Sequence, residues 1–408
     1  MNRNRLKQAI LETVKCLKEQ GIDCLYMTGA HIQVHGCRIH KSLMEIDKFS
    51  ACLNFFLKEP VLNKNLSRTT IVTQFLSILK NALGSENPNQ LVLELLNQLE
   101  SKINDEKEFK VYVPLKGIDL SENEPFVINT ALRIVPAQIT PENVQKEFLS
   151  FLGSDEDACS FIEQSIITPD FLKAMEIAVE SSKILVHFLR FIDYHIWDEE
   201  SLSLRLPGYG ALMEELRVMA VPASEETFSA YNWKLKEARD EILEVDSEFV
   251  EDSKEVGIER FGEIINKFVG GNLTDMENQV FRSIIWFGES KIEHDNAARF
   301  LKLTLVLECL LNTSKNEPVT ATLSDRVALL LESNVEDRLR MVEKIGELYN
   351  VRSEIVHTGS SNIEEMALFE LESIVSRLIS LFLIDPEYSC LENKKGLKNK
   401  IDKMKFSS

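Results

Sequence analysis

The sequence lacks several features that would place a chain in a class at once. No stretch approaches the ~20 consecutive apolar residues of a membrane-spanning helix. The first residues form a polar amphipathic pattern without the apolar segment of a signal peptide. Seven cysteines occur in no paired spacing, which favours a reduced chain over a disulfide scaffold. We therefore expect a soluble, cytoplasmic protein that makes no membrane contact.

Familiar catalytic motifs are also missing. The chain has no phosphate-binding glycine loop, no Gly-x-Ser-x-Gly elbow and no His-Glu-x-x-His metalloprotease pair. Internal repeats are absent as well. These absences argue against nucleotide-hydrolysing, serine-hydrolase and zinc-protease chemistry, and they give no reason to expect a cofactor.

Positive charge is scarce. The 46 Lys and Arg residues face 65 Asp and Glu residues, so the net charge is −19. That balance argues against a protein that coats nucleic acid with a broad basic surface. It does not exclude an enzyme that admits RNA to one local site. From Gly271 onward there are 17 basic and 22 acidic residues, so most of the negative charge lies earlier.

A chain of 408 residues predicts two or three domains. We predict an α+β N-terminal region followed by an all-α C-terminal helical bundle, so that the protein is predominantly helical overall. The N-terminal region covers residues 1–270, with a break near 105–140 if it contains two subdomains. The bundle covers 271–390, after the glycine pair Gly270–Gly271, and a Lys-rich tail covers 391–408.

Apolar periodicity predicts the elements of the N-terminal region. Helical patterns are interrupted by a hairpin and by strands. In chain order they are a helix over Asn4–Glu19, a hairpin within Cys24–His40, helices over Met44–Lys58, Arg68–Leu83 and Gln90–Ile103, strands over Phe109–Ile118 and Phe126–Pro136, a mainly helical stretch over Pro141–Phe191, a strand over Ser201–Leu206 and a mostly helical stretch over Phe228–Lys267.

From Asp275, which we predict as a helix cap, every pattern is helical. The predicted helices cover Asp275–Gly288, Asp295–Asn312, Ser324–Leu331, Val335–His357 and Ile363–Leu383. The second of these is apolar on nearly every side, which is typical of a central bundle helix or of an interface.

The most informative stretch is the end of the fourth helix of this bundle. Five residues share its apolar side: Ile345, Leu348, Tyr349, Ile355 and Val356. Arg352 falls within the same arc, and a guanidinium directed into a packed face requires an anion. His357 lies at the helix C-terminus, where the helix dipole favours the protonated imidazole.

Glu308 is the natural partner for Arg352, because it is a carboxylate among apolar neighbours on another helix of the bundle. A plain ion pair that holds two helices in register is the alternative interpretation. Three further residues are candidates for substrate binding or support: Ser353, Tyr349 and Glu354. Each has an ordinary structural alternative: a hydroxyl bonded to its own helix, a packed aromatic ring and a solvated carboxylate.

This stretch also resembles the HEPN superfamily. Arg352-Ser-Glu-Ile-Val-His357 is similar to its Arg-x4-His motif. The surrounding segments Arg282-Ser-Ile-Ile-Trp-Phe-Gly288, Arg299-Phe300, Arg326-Val-Ala and Tyr349-Asn-Val-Arg352 occur in the order seen in its Apea-like branch. The resemblance covers roughly the last third of the chain.

The resemblance implies a metal-independent endoribonuclease in which Arg352 and His357 are catalytic, and we predict Glu308 as a third catalytic residue beside Arg352. It also implies a homodimer with two motifs lining one cleft, RNA as substrate, and a role as a toxin or antiviral defence effector. The N-terminal region would then sense a trigger or bind an antitoxin. The alternative is a non-catalytic HEPN-type module that binds RNA, a nucleotide or a protein.

Two other groups of residues carry weaker hypotheses. Cys24, His31, His35, Cys37 and His40 are potential zinc ligands, but their spacing matches no familiar zinc pattern, and we expect no metal. Six lysines lie between Lys394 and Lys405. They predict either a solvated chain end or a segment that attracts RNA phosphates.

Overall fold

The structure is a computed structural model that describes residues 1–22, 25, 30–120, 124–142, 144–145, 160–197, 204–206, 242–312, 319–361 and 363–406. These residues form two compact units. The first unit contains residues 1–111 and 164–179, and the second contains residues 112–163 and 180–408. The sequence predicts a division at Gly270–Gly271, whereas the contacts place the segment before these glycines in the same unit as the segment after them.

The first unit is mainly helical. Its helices are α1 (Arg3–Glu19), α2 (Lys41–Met44), α3 (Asp47–Lys58), α4 (Pro60–Asn65), α5 (Arg68–Leu83) and α6 (Pro88–Ile103). The predicted apolar stripe of α1 is confirmed, because all four of its members are buried: Leu6, Ile10, Val14 and Leu17. Three phenylalanine rings in contact, Phe49, Phe56 and Phe75, lie at the centre of this core.

The predicted N-terminal hairpin is confirmed for the part that the structure describes. Strand β1 (His31–Val34) pairs in antiparallel register with β2 (Cys37–His40). The two turn residues, His35 and Gly36, both have positive φ, of 47° and 79°. Such a two-residue turn matches the right-handed twist of the strands that it joins. Cys24 lies outside the described residues.

A four-stranded sheet has the order β3-β7-β6-β5, where β3 is Lys107–Leu115, β5 is Phe126–Asn129, β6 is Leu132–Pro136 and β7 is Ser160–Thr168. A second, parallel pair joins β4 (Ile118–Leu120) to β8 (Leu243–Val245). Arg205, in the predicted strand that begins at Ser201, forms an isolated antiparallel bridge with Lys116. Residues 201–203 of that strand are not among those described.

Two predictions for this region are wrong. Phe126–Pro136 is two strands rather than one, because the chain turns after Asn129 and β6 pairs back on β5. The stretch over Pro141–Phe191 contains a nine-residue strand, β7, before its long helix begins. The mostly helical stretch over Phe228–Lys267 is confirmed for the described residues 242–267, where the short strand β8 precedes α8 (Ser247–Glu255) and α9 (Ile258–Val269); residues 228–241 lie outside the described part.

A long helix, α7 (Phe171–Trp197), begins in the first unit and continues into the second. The rest of the second unit is helical, as predicted from Asp275 onward: α10 (Asp275–Lys291), α11 (Asn296–Leu311), α12 (Val319–Leu331), α13 (Val335–Thr358), α14 (Glu365–Ile384), α15 (Pro386–Ser389) and α16 (Lys394–Phe406). Thus the protein is predominantly helical, with small sheets and an all-helical C-terminal part.

Two details of this part differ from the prediction. The cap of α10 is Thr274 rather than Asp275: Thr274 Oγ1 accepts from the Glu277 N–H, and the Glu277 carboxylate accepts from the Thr274 N–H. The Lys-rich segment 394–406 is a helix, and the side chains of Leu397 and Ile401 are buried. The segment is therefore an ordered helix that packs through its apolar residues, while most of its lysines remain exposed.

Helix α11 has the central position that its apolar sequence predicts. It packs against four other helices, α10, α12, α13 and α14. Within the described part of the chain, every helix is too short or too polar to cross a membrane.

Candidate functional site

The candidate site lies at the C-terminal end of α13. The helix ends at Gly359, whose φ of 69° is left-handed and whose N–H donates to the carbonyl of Ile355. Unpaired carbonyl groups at such an end carry partial negative charge. The His357 side chain is exposed there and has no hydrogen-bond partner among the residues that the structure describes. Its imidazole is therefore accessible for proton transfer.

Arg352 lies one and a half turns earlier and faces Glu308 of α11. The closest nitrogen and oxygen atoms of the pair are 3.7 Å apart, and the two side chains are 34% and 24% exposed. The structure thus brings together the pair that the apolar pattern predicts. Both side chains are half-buried rather than fully buried, so water or a ligand has access to one side of the ion pair.

Tyr349 packs beside this pair and is itself buried. Burial raises the pKa of its hydroxyl far above the ordinary value, and the charge of Glu308 raises it further while Arg352 opposes the shift. The phenol therefore remains a proton donor. Two buried atoms here, Oη of Tyr349 and Nε of Arg352, have no hydrogen-bond partner within the described structure. Since buried polar groups are nearly always paired, this concentration of free donors is unusual.

The remaining candidates lie on the solvent side of α13. Ser353 and Glu354 are exposed. Val356, which the sequence places on the apolar side, is 49% exposed, so that prediction is wrong. It lies in the last turn of α13, where the helix extends past the packed core. Arg352 and His357 are separated by about 140° around the helix and by about 7.5 Å along it, so one copy does not bring them face to face.

The structure adds two cations that the sequence reading left out of the site. Lys394, the first residue of α16, donates from Nζ to the carbonyl of Asn312 at the end of α11 (2.8 Å). Arg282 of α10 is exposed. Burial raises the pKa of Cys309, the neighbour of Glu308, while the charges of Lys394 and Arg282 lower it. Both cations therefore act on the end of α11 that carries Glu308.

An exposed stripe runs along α13 toward the same end. Val335 and Leu339 are 65% and 62% exposed. No atom lies within 4 Å of the position that a Cβ on Gly346 would occupy. At about 100° per residue, these three residues lie within about 40° of one another on the helix, and Ser353 and His357 lie in the same arc. The stripe therefore combines exposed apolar side chains with the candidate site.

The rival cluster of histidines and cysteines does not form a metal centre in the described structure. No group of three His, Cys, Asp or Glu side chains there could hold a metal ion. The Cys37 thiol instead lies 3.3 Å from Oγ1 of Thr73, and the rings of His31 and His40 contact edge to face.

Comparisons with known proteins leave the family of the chain open. No protein-family model matches the sequence, no curated protein is similar to it, and no solved structure matches its fold.

Proposed function

We propose that the chain is a metal-independent endoribonuclease of the HEPN type, and that Arg352 and His357 cut RNA with the support of Glu308 and Tyr349. The observation that carries the proposal is the geometry at the end of α13. An accessible imidazole lies on the same helix end, five residues after a half-buried arginine, and this arginine and the neighbouring phenol leave two hydrogen-bond donors free. The Arg-x4-His spacing at this position is the pattern that the HEPN resemblance rests on.

The chemistry suits these residues. The ribose 2′-oxygen attacks the adjacent phosphorus, a new P–O2′ bond forms, and the P–O5′ bond breaks. One proton leaves the 2′-hydroxyl and another is delivered to the 5′-oxygen. Histidine transfers protons near neutral pH. The planar donors of arginine match phosphate oxygens, and the Tyr349 hydroxyl adds another donor. The products carry 2′,3′-cyclic phosphate and 5′-hydroxyl ends.

Two copies of the motif would supply both proton transfers. The exposed stripe of α13, defined by Val335, Leu339, Gly346, Ser353 and His357, supports a homodimer of the C-terminal unit. The open glycine, about two turns beyond the exposed Leu339, allows a second helix to approach closely, and His357 lies at one end of the stripe. In this arrangement Arg282 and Lys394 would bind RNA phosphates beside the cut, since the charges of both act on Cys309, the neighbour of Glu308.

The biological setting belongs to the same proposal. A nuclease with a separate N-terminal unit is suited to control by a trigger or an antitoxin that binds that unit, as in a stress or anti-phage defence effector. The N-terminal region is then the sensor, and the C-terminal helical bundle is the nuclease.

The test uses the purified full chain and a set of labelled RNAs. We expect His357→Ala and Arg352→Ala each to reduce cleavage at least about 100-fold, because each removes a group that would act on the reacting phosphate or its protons. The cut ends are identified by mass spectrometry. His294→Ala and Arg340→Ala are matched controls, since both residues are exposed in the same unit and lie outside the site.

Cleavage by His357→Ala at the parent rate would refute the assignment. If the parent retains RNA on a filter without cutting it, and Arg352→Ala loses that retention, the site belongs to a non-catalytic binding module instead. That alternative is favoured by one observation: Arg352 and His357 do not converge in a single copy.

A further inference from the structure

Three groups inside the candidate site have hydrogen-bonding capacity that no other part of the described chain uses. Oη of Tyr349 and Nε of Arg352 are buried and lack a hydrogen-bond partner there. The carboxylate of Glu308 comes closest to Arg352 at 3.7 Å, between Oε1 and Nη2, and this separation is longer than a hydrogen bond. Among the described residues, the three groups therefore offer two free donors and one free acceptor.

The three groups lie in one small region of the bundle. Tyr349 and Arg352 are three residues apart on α13, a spacing that places two side chains on the same face of a helix. Glu308 reaches them from α11. Burial raises the pKa of the Tyr349 hydroxyl, and the charge of Glu308 raises it further, while the charge of Arg352 lowers it. The hydroxyl therefore keeps its proton, and both charged groups act on it at short range.

The region is open to solvent on one side. Tyr349 is 5% exposed, whereas the side chains of Arg352 and Glu308 are 34% and 24% exposed. A ligand therefore reaches the two charged groups from solvent, and the phenol lies deepest of the three. Because the packed helices α11 and α13 hold the side chains before a ligand arrives, little ordering is required for binding.

The combination of two donors and one acceptor decides which ligand group fits. A phosphate diester carries a negative charge and no proton at neutral pH. Its oxygens would accept from Tyr349 and Arg352 but would be repelled by Glu308. A hydroxyl group has one O–H donor and two acceptor lone pairs. It can donate to the Glu308 carboxylate and accept from both Tyr349 and Arg352, so one hydroxyl satisfies all three groups.

We propose that Glu308, Tyr349 and Arg352 form a subsite for one ribose 2′-hydroxyl of RNA. The inference rests on the proposed function, because that function makes RNA the ligand of the site. The remaining N–H groups of Arg352 stay available for the adjacent phosphate. DNA lacks the 2′-hydroxyl, and a site built to bond a hydroxyl discriminates strongly against an analogue without one. The subsite therefore selects RNA over DNA at the step of binding.

The experiment measures binding by fluorescence anisotropy at constant ionic strength, with the full chain carrying His357→Ala so that RNA stays intact. Four single-stranded oligonucleotides of one mixed sequence are compared: RNA, DNA, 2′-O-methyl RNA and 2′-fluoro RNA. We expect RNA to bind at least about tenfold more tightly than the other three, because none of them can donate a hydrogen bond to the Glu308 carboxylate.

Two variants in this background remove the partners of the hydroxyl one at a time. Glu308→Met removes the acceptor and its charge, so the preference for RNA over DNA should fall about tenfold, while DNA itself should bind more tightly. Tyr349→Phe removes only a donor and should lower the preference about threefold. Glu347→Met is the matched control, since it removes an exposed carboxylate from the same helix and should leave the preference unchanged.

The preference is a ratio of two dissociation constants measured on one protein sample, so partial unfolding of a variant does not change it. The inference is overturned if RNA and DNA bind within about twofold of each other, which would mean that the three groups hold water only. It is also overturned if both Glu308→Met and Tyr349→Phe keep the full preference.

The subsite and the nuclease can fail separately. If the unmodified protein does not cut RNA, binding is measured on that protein, and a preference for RNA that Glu308→Met removes still supports the subsite. If the unmodified protein cuts RNA but Glu308→Met keeps the preference, the nuclease stands and the subsite is refuted. If no RNA binds at all, both are refuted.

Discussion

Two glycines in the C-terminal unit have opposite surroundings although both lie inside helices. Gly288 in α10 leaves no room for a side chain, because the position of an added Cβ is 2.5 Å from Cβ and 2.7 Å from Cα of His187. Gly346 in α13 has nothing within 4 Å of that position. The first glycine is required by packing, while the second has no packing role within one copy of the chain and lowers helix propensity there.

Alanine at these two positions should therefore change stability in opposite directions. We expect Gly288→Ala to lower the free energy of unfolding by about 1–3 kcal/mol, since α7 must shift to admit the methyl group. We expect Gly346→Ala to raise it by about 0.5–1 kcal/mol. Urea denaturation followed by circular dichroism measures both. Equal effects of the two substitutions would contradict the close packing of α7 on α10.

The candidate site was only partly predictable at this scale. Arg352 and Glu308 were predicted from the sequence because each interrupts an apolar helical face. An arginine and a glutamate that both point into one small bundle are natural partners. Arg282 and Lys394 could not be assigned to the same site, because they are brought there by packing between helices that are far apart in sequence. Val356 was misplaced because helical periodicity carries no information about where the core ends.

At the scale of elements, a buried ion cluster joins three helices of the bundle. Glu372 of α14 accepts from Arg299 of α11, with Nη2 2.6 Å from Oε1, and pairs with Lys291 of α10 at 3.4 Å. All three side chains are nearly inaccessible. Glu370, two residues earlier on α14, forms a more exposed pair with Lys344 of α13. The same helix thus carries a buried and an exposed carboxylate pair.

Removing each carboxylate in turn should show that the buried ion cluster contributes more to stability than the exposed pair does. We expect Glu372→Ala to destabilise the fold by about 3–5 kcal/mol, because it removes a buried carboxylate that pairs with two buried cations. Glu370→Ala should cost about 1 kcal/mol or less, since its pair is partly solvated. Guanidinium chloride denaturation measures the free energy of unfolding of both variants. A loss of 1 kcal/mol or less in Glu372→Ala would show that the cluster does not hold the helices together.

The helices were predicted better than the strands. A long periodic pattern, such as the one over Val335–Thr358, predicts a helix well because many residues agree on the same period. Strand β7 was missed although its even-numbered residues from Ile162 to Thr168 are all buried, because it lies between stretches with helical patterns. The turn after Asn129 was missed for a related reason: three residues between two apolar runs were taken as part of one strand.

At the scale of the whole molecule, the proposed dimer depends on the exposed stripe of α13. We expect Leu339→Arg to shift the protein from dimer to monomer and to reduce RNA cleavage, because it places a charge in an apolar contact. Light scattering measures the mass, and the RNA assay measures activity. Val127→Arg is the control, since Val127 is similarly exposed, at 60%, on β5. A parent that is monomeric at micromolar concentration would contradict the dimer.

The division of the chain into units also determines when each can form. The first unit is not continuous in sequence: residues 164–179 complete it, and Asp170 among them accepts from the N–H of Ser67 ahead of α5. During synthesis from the N-terminus, that unit must wait until the ribosome has also made residues 112–163, which belong to the other unit. A nascent chain that ends anywhere before Val179 therefore lacks part of the first unit, and chaperones would meet that unfinished surface first.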